Sequence, residues 1–501
     1  MLKNRQFTFG ALLSYGAIAF NIVSGLLYTP WMIKTIGDDQ YALYTLSISI
    51  INIFLVDFGI GSAVAKFLSN YYARGQQDEA NLFMGIVYKV FIAISFVIAT
   101  CLTVFYFFIN IVYKNMTVDD LMLFKQLFII VGASSVLTFP FTTFNSVLMA
   151  NERFIEVKMC NLMQKVLSVI FIVIALISGR GIYALVLTHV ISNFIFLVLK
   201  YYFIRRNTRQ RTNFVSWDKK VARSLFGYSS WYTLMNIAQR CIFNVMPTII
   251  VATIGTAEVT IFTLASILEG YVFTFADAVN GMFMPKVSRI LVQENADHLL
   301  TKLMTKVGRF HVFTIGLIYI GFISVGQDFV YAWMGPGYEK VFWCAVILIL
   351  PSLFHLPQQV ARTALLVKGD LKAQGLIYSG MALANLVLSF VCLNNFGIIG
   401  AAISVCVAYM LRTLAMNILY HKKLLGDLKE YFKCTYGRWS IVAIITLTIG
   451  LMPMSKVMIT GWTGVVVKSL VISMVYLILY GLIGVNGVER KEILDKIRKR
   501  G

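Results

Sequence analysis

Charge is what this sequence has least of. Only 13% of its 501 residues are Asp, Glu, Lys or Arg, about half the share that soluble domains carry, so a fully water-facing surface is excluded. Acidic residues are scarcer still, 23 against 44 Lys and Arg, for a net charge of +21. Proline is rare, eight in all, which leaves long stretches free to be helical. The seven cysteines stand apart at 101, 160, 241, 344, 392, 406 and 434 with no CxxC pair, so neither a disulfide framework nor a zinc site is indicated. No Walker A loop, HExxH helix, catalytic triad or paired-carboxylate site appears. The chain is therefore expected to be neither an enzyme nor an ATP-driven motor, with no cofactor and no metal.

What is abundant is apolar sequence, 58% of the chain. It gathers into runs of about 20 residues, each long enough to cross roughly 30 Å of hydrocarbon as a helix. The expected spans are 8–30, 41–63, 82–110, 121–149, 160–178, 181–204, 224–252, 259–284, 309–330, 340–364, 375–394, 398–420, 439–454 and 459–484. Pro140, Pro351, Pro357 and Pro453 interrupt three of these. The reading is an all-α integral membrane protein of about 14 transmembrane helices. Lys3 and Arg5 precede the first apolar run as in a signal peptide, but that run continues to Pro30 without a cleavage site and reads as the first helix.

The basic excess is a matter of placement. Roughly 32 of the 44 Lys and Arg fall in the termini and the even-to-odd loops, and about six in the opposite loops. Both termini are thereby expected in the cytoplasm, and nucleic acid is not a partner. The densest cluster is Arg205, Arg206, Arg209, Arg211, Lys219, Lys220 and Arg223.

The chain also repeats itself. KTIGDDQYALYTLS at Lys34–Ser47 returns as ATIGTAEVTIFTLA at Ala252–Ala265, an offset of 218. Pro30 is met by Pro247, Asn21 by Gln239, Asp57 by Asp277 and Lys66 by Lys286. Phe139-Pro140 returns as Leu356-Pro357, and Gly181-Ile182 as Gly397-Ile398. In a membrane chain such duplication points to a transporter whose two bundles enclose one site. The expected organisation is an N-terminal six-helix lobe at 1–204, a basic cytoplasmic linker at 205–222 and a second six-helix lobe at 223–421. Two further helices at 422–487 and a basic cytoplasmic tail at 488–501 complete it. Six helices per lobe make the repeats parallel. Phe214, Val215 and Trp217 in the linker, and Ile493, Leu494 and Ile497 in the tail, are the residues expected at the headgroup region.

Ionisable groups at bilayer depth are costly and face a cavity or a partner. The deepest are Arg240, Glu269 and Lys468, with Asp57 and Asp277 nearer the cytoplasmic end. Lys89, Lys165, Arg362 and Arg412 lie close enough to the cytoplasm to snorkel. Two readings of Arg240 stay open, a structural ion pair with Glu269 or a cavity-facing guanidinium that meets an anionic group. A guanidinium suits phosphate because its planar fork donates two parallel bonds and stays ionised. Asp57 and Asp277 either face one another across the lobes or pair near Lys66 and Lys286. His189 and His355 read as packing residues within apolar spans.

The passages TPWMIKTIGDDQYALYTLSISI at Thr29–Ile50, DFGIGSAVAKF at Asp57–Phe67 and FGIIGAAIS at Phe396–Ser404 carry a resemblance. The chain resembles the polysaccharide (O-antigen type, lipid-linked oligosaccharide) flippases of the multidrug/oligosaccharidyl-lipid/polysaccharide exporter superfamily, over essentially its whole length. The resemblance implies a V-shaped pair of lobes with a central cavity bordered by helices one, two, seven and eight. Asn21, Asp57, Gln239, Arg240, Glu269 and Asp277 fall on those helices, and Arg362 and Lys165 are further candidates for the substrate path. It also implies a polyprenyl-diphosphate-linked oligosaccharide as substrate and the bacterial cytoplasmic membrane as location. Contact with membrane lipid and a polysaccharide polymerase machinery as neighbour follow from it too. Proton or Na⁺ coupling is motivated by Asp57, Glu269 and Asp277. The competing readings are a multidrug cation antiporter, a lipid II flippase and, from another class, a membrane polysaccharide polymerase or ligase. The short outer loops weigh against the last.

Overall fold

In a computed structural model of the chain, the described residues are 2–55, 60–179, 181–214, 218–219, 230–277, 284–424, 428–452 and 461–485. Among them every regular element is helical. Twelve helices are long and apolar enough to cross a membrane. They expose large apolar side chains such as Phe96, Phe107 and Leu383, a surface that only a hydrocarbon solvent tolerates.

The first compact unit comprises Met1–Thr263 with Gln374–Ala401. It begins with α1 (Leu2–Ile36), α2 (Asp38–Phe54), α3 (Ile60–Ala73) and α4 (Gln77–Val112). Next come α5 (Val118–Thr138), a 3₁₀ turn at Phe139–Thr143, α6 (Phe144–Ala150), α7 (Phe154–Ile177) and α8 (Gly181–Asn207). α9 (Ser230–Thr253) and the start of α10 (Ala257–Asp277) follow. α1 packs on α7, α7 on α8, and α2 lies between α5 and α9. Asp38 and Asp39 occupy the first turn of α2, where the positive end of the helix dipole favours them. Thr117 caps α5 by accepting from the Asp120 amide at 3.2 Å.

The second unit comprises Leu264–Ala373 with Ala402–Gly501. After the remainder of α10 it holds α11 (Met284–Ile290), α12 (Ala296–Met334), α13 (Glu339–Ile349) and the short α14 (Ser352–His355). A 3₁₀ turn at Leu356–Gln358, α15 (Gln359–Lys368), the later half of α16 (Leu371–Lys423), α17 (Leu428–Leu451) and α18 (Gly461–Leu479) follow. α12 is the spine against which α17 and α18 pack. Gly316 lets this happen: a Cβ there would stand 2.5 Å from Trp439 Nε1. The Trp439 indole donates to the Tyr476 hydroxyl at 2.9 Å, which donates to the Phe313 carbonyl at 2.9 Å. Buried Arg309 donates to the Cys434 and Gly484 carbonyls, both at 2.7 Å. It satisfies the end of α18's continuation, which a low-dielectric interior would otherwise leave unpaired.

Two features separate the twelve long apolar helices from the fourteen expected. α16 is 53 residues long but contains Gly397 at φ 57, ψ −141, where two helices meet across a kink. Three residues on, Gly400 presses on the Cys392 carbonyl, where a Cβ would stand at 2.0 Å. The expected span at 41–63 divides instead: α2 has only 17 residues and ends at Leu55, whose φ −82, ψ 56 is non-helical.

Backbone irregularities recur at the spacing seen in the sequence. Gly37 (φ 84) and Gly255 (φ 107) form the corners before α2 and α10. Pro140 and Pro357 each start a 3₁₀ turn inside an expected span. Glu152 (φ 58) and Gly369 (φ 77) take the same left-handed backbone after α6 and α15, as do Gly181 (φ 65) and Gly397 (φ 57). The linker is helical to Asn207 and has no regular secondary structure from Thr208 to Phe214. Asp57, Val215, Trp217, Arg223 and the tail at 488–501 lie outside the described residues, as does the Asp277 side chain.

Candidate functional site

A cavity of about 700 Å³ opens in the first unit where α2 breaks. Its walls come from the end of α2, from α3 and α4, from the 3₁₀ turn between α5 and α6, and from α9. Asn52, Ser135, Thr138, Thr142, Asn145 and Ser146 give it a neutral polar lining, and Arg240 contributes its one full charge among the described residues. Prolines explain part of this. Pro140 starts the 3₁₀ turn, and a break in a membrane helix persists where its freed backbone groups are buried in protein or line a cavity.

Arg240 is held by the broken helix. Its Nη1 donates to the Leu55 carbonyl at 2.9 Å and to the Asn52 carbonyl at 3.5 Å, the negative end of α2's dipole. Among the described residues its Nε and Nη2 groups make no bond, so donors remain for a ligand. The Thr142 hydroxyl donates back to the Phe139 carbonyl at 2.8 Å and keeps lone pairs for the cavity. Asn145 Oδ1 is a buried acceptor without a hydrogen-bond partner. A fixed guanidinium beside amide and hydroxyl groups can hold a phosphate and the hydroxyls attached to it.

Glu269 has its own surroundings, inside the second unit. Only 8% exposed, it accepts from the Ser352 hydroxyl at 3.3 Å, and Arg412 is its charged neighbour. Arg412 lies over the Tyr409 ring at 4.5 Å. His355 stacks on Phe273 and tilts against Tyr409, with Nδ1 2.9 Å from the Pro351 carbonyl. Arg362 and Arg412 are the charges nearest that ring. The cluster therefore sets two guanidiniums against one carboxylate.

Arg240 and Glu269 each have partners within their own units, helix-end carbonyls for Arg240 and a hydroxyl for Glu269. Arg362 joins the Glu269 cluster. Asn21 on α1, Gln239 on α9 and Lys165 on α7 are half-buried, and none of them lines the Arg240 cavity. Lys468, the third deep charge, is paired with Asp328 at 2.7 Å. Sequence reasoning passed over Asn52, Thr142, Asn145 and Ser352, which carry no charge to draw attention. Proline spacing was the available signal, since these residues flank Pro140, Pro351 and the break in α2.

Among the described residues no cluster of metal-ligating side chains occurs. A bundle of long apolar helices that holds a polar cavity and buried charges defines a multi-pass membrane protein. The family is defined as well: the chain belongs to the polysaccharide biosynthesis protein family, whose model matches residues 38–342. It is 21% identical to the uncharacterized membrane protein EpsK of Bacillus subtilis (strain 168), over 99% of this chain and 98% of that protein. Its fold is similar to that of the lipid II flippase MurJ in an inward closed conformation, with a TM-score of 0.70 at 16% identity over 95% of this chain and 98% of that one. An inward-facing multidrug resistance MATE family transporter of the MOP superfamily aligns with a TM-score of 0.65 at 11% identity, covering 84% of this chain and 99% of that one.

Proposed function

We propose that the chain flips polyprenyl-diphosphate-linked oligosaccharide repeat units from the cytoplasmic to the outer leaflet of a bacterial cytoplasmic membrane, for surface polysaccharide biosynthesis. Two parallel lobes, 1–204 and 223–421, alternate access to the substrate, with fourteen helices in all and both termini inside. The observation that supports this most is Arg240. It is anchored to the α2 carbonyls with donors to spare, at a polar cavity of about 700 Å³ inside an apolar bundle. A sugar-diphosphate head cannot cross hydrocarbon alone, because its charges and hydroxyls would lose their water partners. A cavity of this kind shelters the head while the prenyl tail stays in lipid.

Coupling to an ion belongs to the proposal. Glu269, buried with the Ser352 hydroxyl and Arg412 as its neighbours, is one acid of that reading for H⁺ or Na⁺; Asp57 and Asp277 are the others. A multidrug cation antiporter is disfavoured because, among the described residues, the charge at the cavity is a guanidinium, which repels cationic drugs. A lipid II flippase shares the diphosphate chemistry and differs in the glycan. Deleting the gene and following radiolabelled lipid-linked repeat units is the test. Accumulation on the cytoplasmic leaflet is expected, whereas accumulation outside points to a polymerase or ligase. At matched expression, Arg240→Ala abolishes export and Arg240→Lys retains a fraction of it; full export by the alanine variant removes Arg240 from the path.

A further inference from the structure

The start of the linker is built into the first unit rather than draped over it. Thr208 and Gln210 are buried, while Arg209 and Arg211 between and beside them are exposed, so the threonine and glutamine side chains face the protein and the two arginines face away from it. The Gln210 amide donates to the Ala80 carbonyl at 3.3 Å and to Asn81 Oδ1 at 3.0 Å, and accepts from the Tyr72 hydroxyl. Asn81 Oδ1 also accepts from the Arg211 amide at 2.7 Å, and its carbonyl accepts from the Asn213 amide at 3.1 Å. Against α4 the contact is backbone to backbone: a Cβ on Gly85 would stand 1.8 Å from the Asn213 carbonyl oxygen.

The docked segment carries its charge outward and ends near the cavity. Arg205 Nε donates to the Tyr201 hydroxyl at 2.8 Å and Arg206 Nη1 to the Tyr202 hydroxyl at 2.7 Å. Of the acids beside this stretch, Glu156 is taken up by Arg153 at 3.5 Å and by Asn207 at 3.3 Å, while Asp78 and Glu79 stand exposed in the first turn of α4. Phe214 packs on Tyr88, ring centroids 6.2 Å apart. Tyr88 sits one helical turn before Phe91, which lines the Arg240 cavity.

We propose that residues 205–213 form a rigid cationic platform that holds the diphosphate headgroup of a polyprenyl lipid beside the Arg240 cavity before it is taken up. This rests on the flippase reading above and adds a second anion site to it. General attraction to anionic lipid needs exposed charge alone. It requires neither a buried glutamine with three polar partners nor a glycine reserved for a backbone contact. A fixed array of guanidiniums does require them, because geometry is what bidentate recognition of phosphate selects.

The experiment measures binding of sugar-free undecaprenyl diphosphate, and separately of phosphatidylglycerol, to the full-length protein in nanodiscs of neutral lipid. Two variants are compared with wild type. Arg209→Gln/Arg211→Gln removes charge and leaves the dock; Gly85→Ala keeps every charge and pushes the segment away. Both are expected to weaken undecaprenyl diphosphate binding roughly tenfold or more, with phosphatidylglycerol binding changed less than twofold. Wild-type affinity for undecaprenyl diphosphate in the charge variant, whose dock is intact, overturns the platform and leaves the flippase reading standing. Equal losses for the two lipids overturn it in favour of a surface for bulk anionic lipid. Absence of undecaprenyl diphosphate binding to wild type overturns the flippase reading and the platform together.

Discussion

The corner before α2 and the corner before α10 touch within the first unit, and the alternating access proposed above requires them to part. The Thr260 hydroxyl donates to the Asp38 carbonyl at 3.0 Å and the Thr256 hydroxyl to the Asp39 carboxylate at 3.2 Å. About two helical turns before that second corner, the Tyr113 hydroxyl bonds the Thr248 hydroxyl at 3.2 Å. Replacing Thr256 and Thr260 by Val and Tyr113 by Phe removes all three bonds while nearly preserving shape. Each is worth about 1 kcal/mol net where buried and less where wet, so the triple variant should favour separation by about 2 kcal/mol, close to 30-fold. If about 1% of wild-type molecules are open at this end, about 20% of the variant will be. A single cysteine at Ser135, which lines the cavity, in a background lacking the seven native cysteines, reports the change. An impermeant maleimide applied outside should label it about 20-fold faster in the triple variant. Labelling within twofold of the parent would refute the idea that these contacts hold the corner shut.

Three further outcomes are expected from packing and backbone geometry. Gly316→Ala drives a Cβ into Trp439 and frees its bond to Tyr476, so thermal unfolding in detergent should show a loss of roughly 2–3 kcal/mol. Adding Trp439→Leu should recover part of that loss, and strict additivity of the two changes would contradict the assigned contact. Asp328→Asn leaves the buried Lys468 ammonium without its counter-charge and should cost about 3 kcal/mol, whereas Lys468→Met, which removes the buried charge itself, should be close to neutral. Gly369→Ala should destabilise by about 1 kcal/mol and Glu152→Gly should not, because both positions hold left-handed backbone; equal effects in the two variants would rule out the backbone explanation.

Much of the architecture was legible before any coordinates because membrane helices advertise themselves by length and apolarity. Several sequence matches at an offset near 218 coincide with conformational positions. Gly37 and Gly255, the two Pro-initiated 3₁₀ turns, and Gly181 with Gly397 are places where the chain departs from a helix. The break in α2 escaped because periodicity and hydropathy continue across it, and only dihedral angles register it. The sites were harder. Arg240 and Glu269 stood out as charges in apolar runs, but their partners are carbonyls of Asn52 and Leu55 and a hydroxyl of Ser352. Backbone acceptors have no identity in a sequence, and residues more than 80 positions apart declare no proximity. Arg309 shows the same blindness. It reads as a loop-end cation, yet it is buried and binds the Cys434 carbonyl within α17 and the Gly484 carbonyl at the end of α18's continuation.

The turn at Gly397 has a bearing on how this protein is made. With Gly400 resting on the Cys392 carbonyl and a left-handed residue between them, the two halves of α16 have no connecting loop to spare. Such a pair cannot be threaded one helix at a time with slack in between. The insertion machinery receives the two halves with no slack between them, and a foreign epitope spliced at this turn should be read first as a defect of biogenesis.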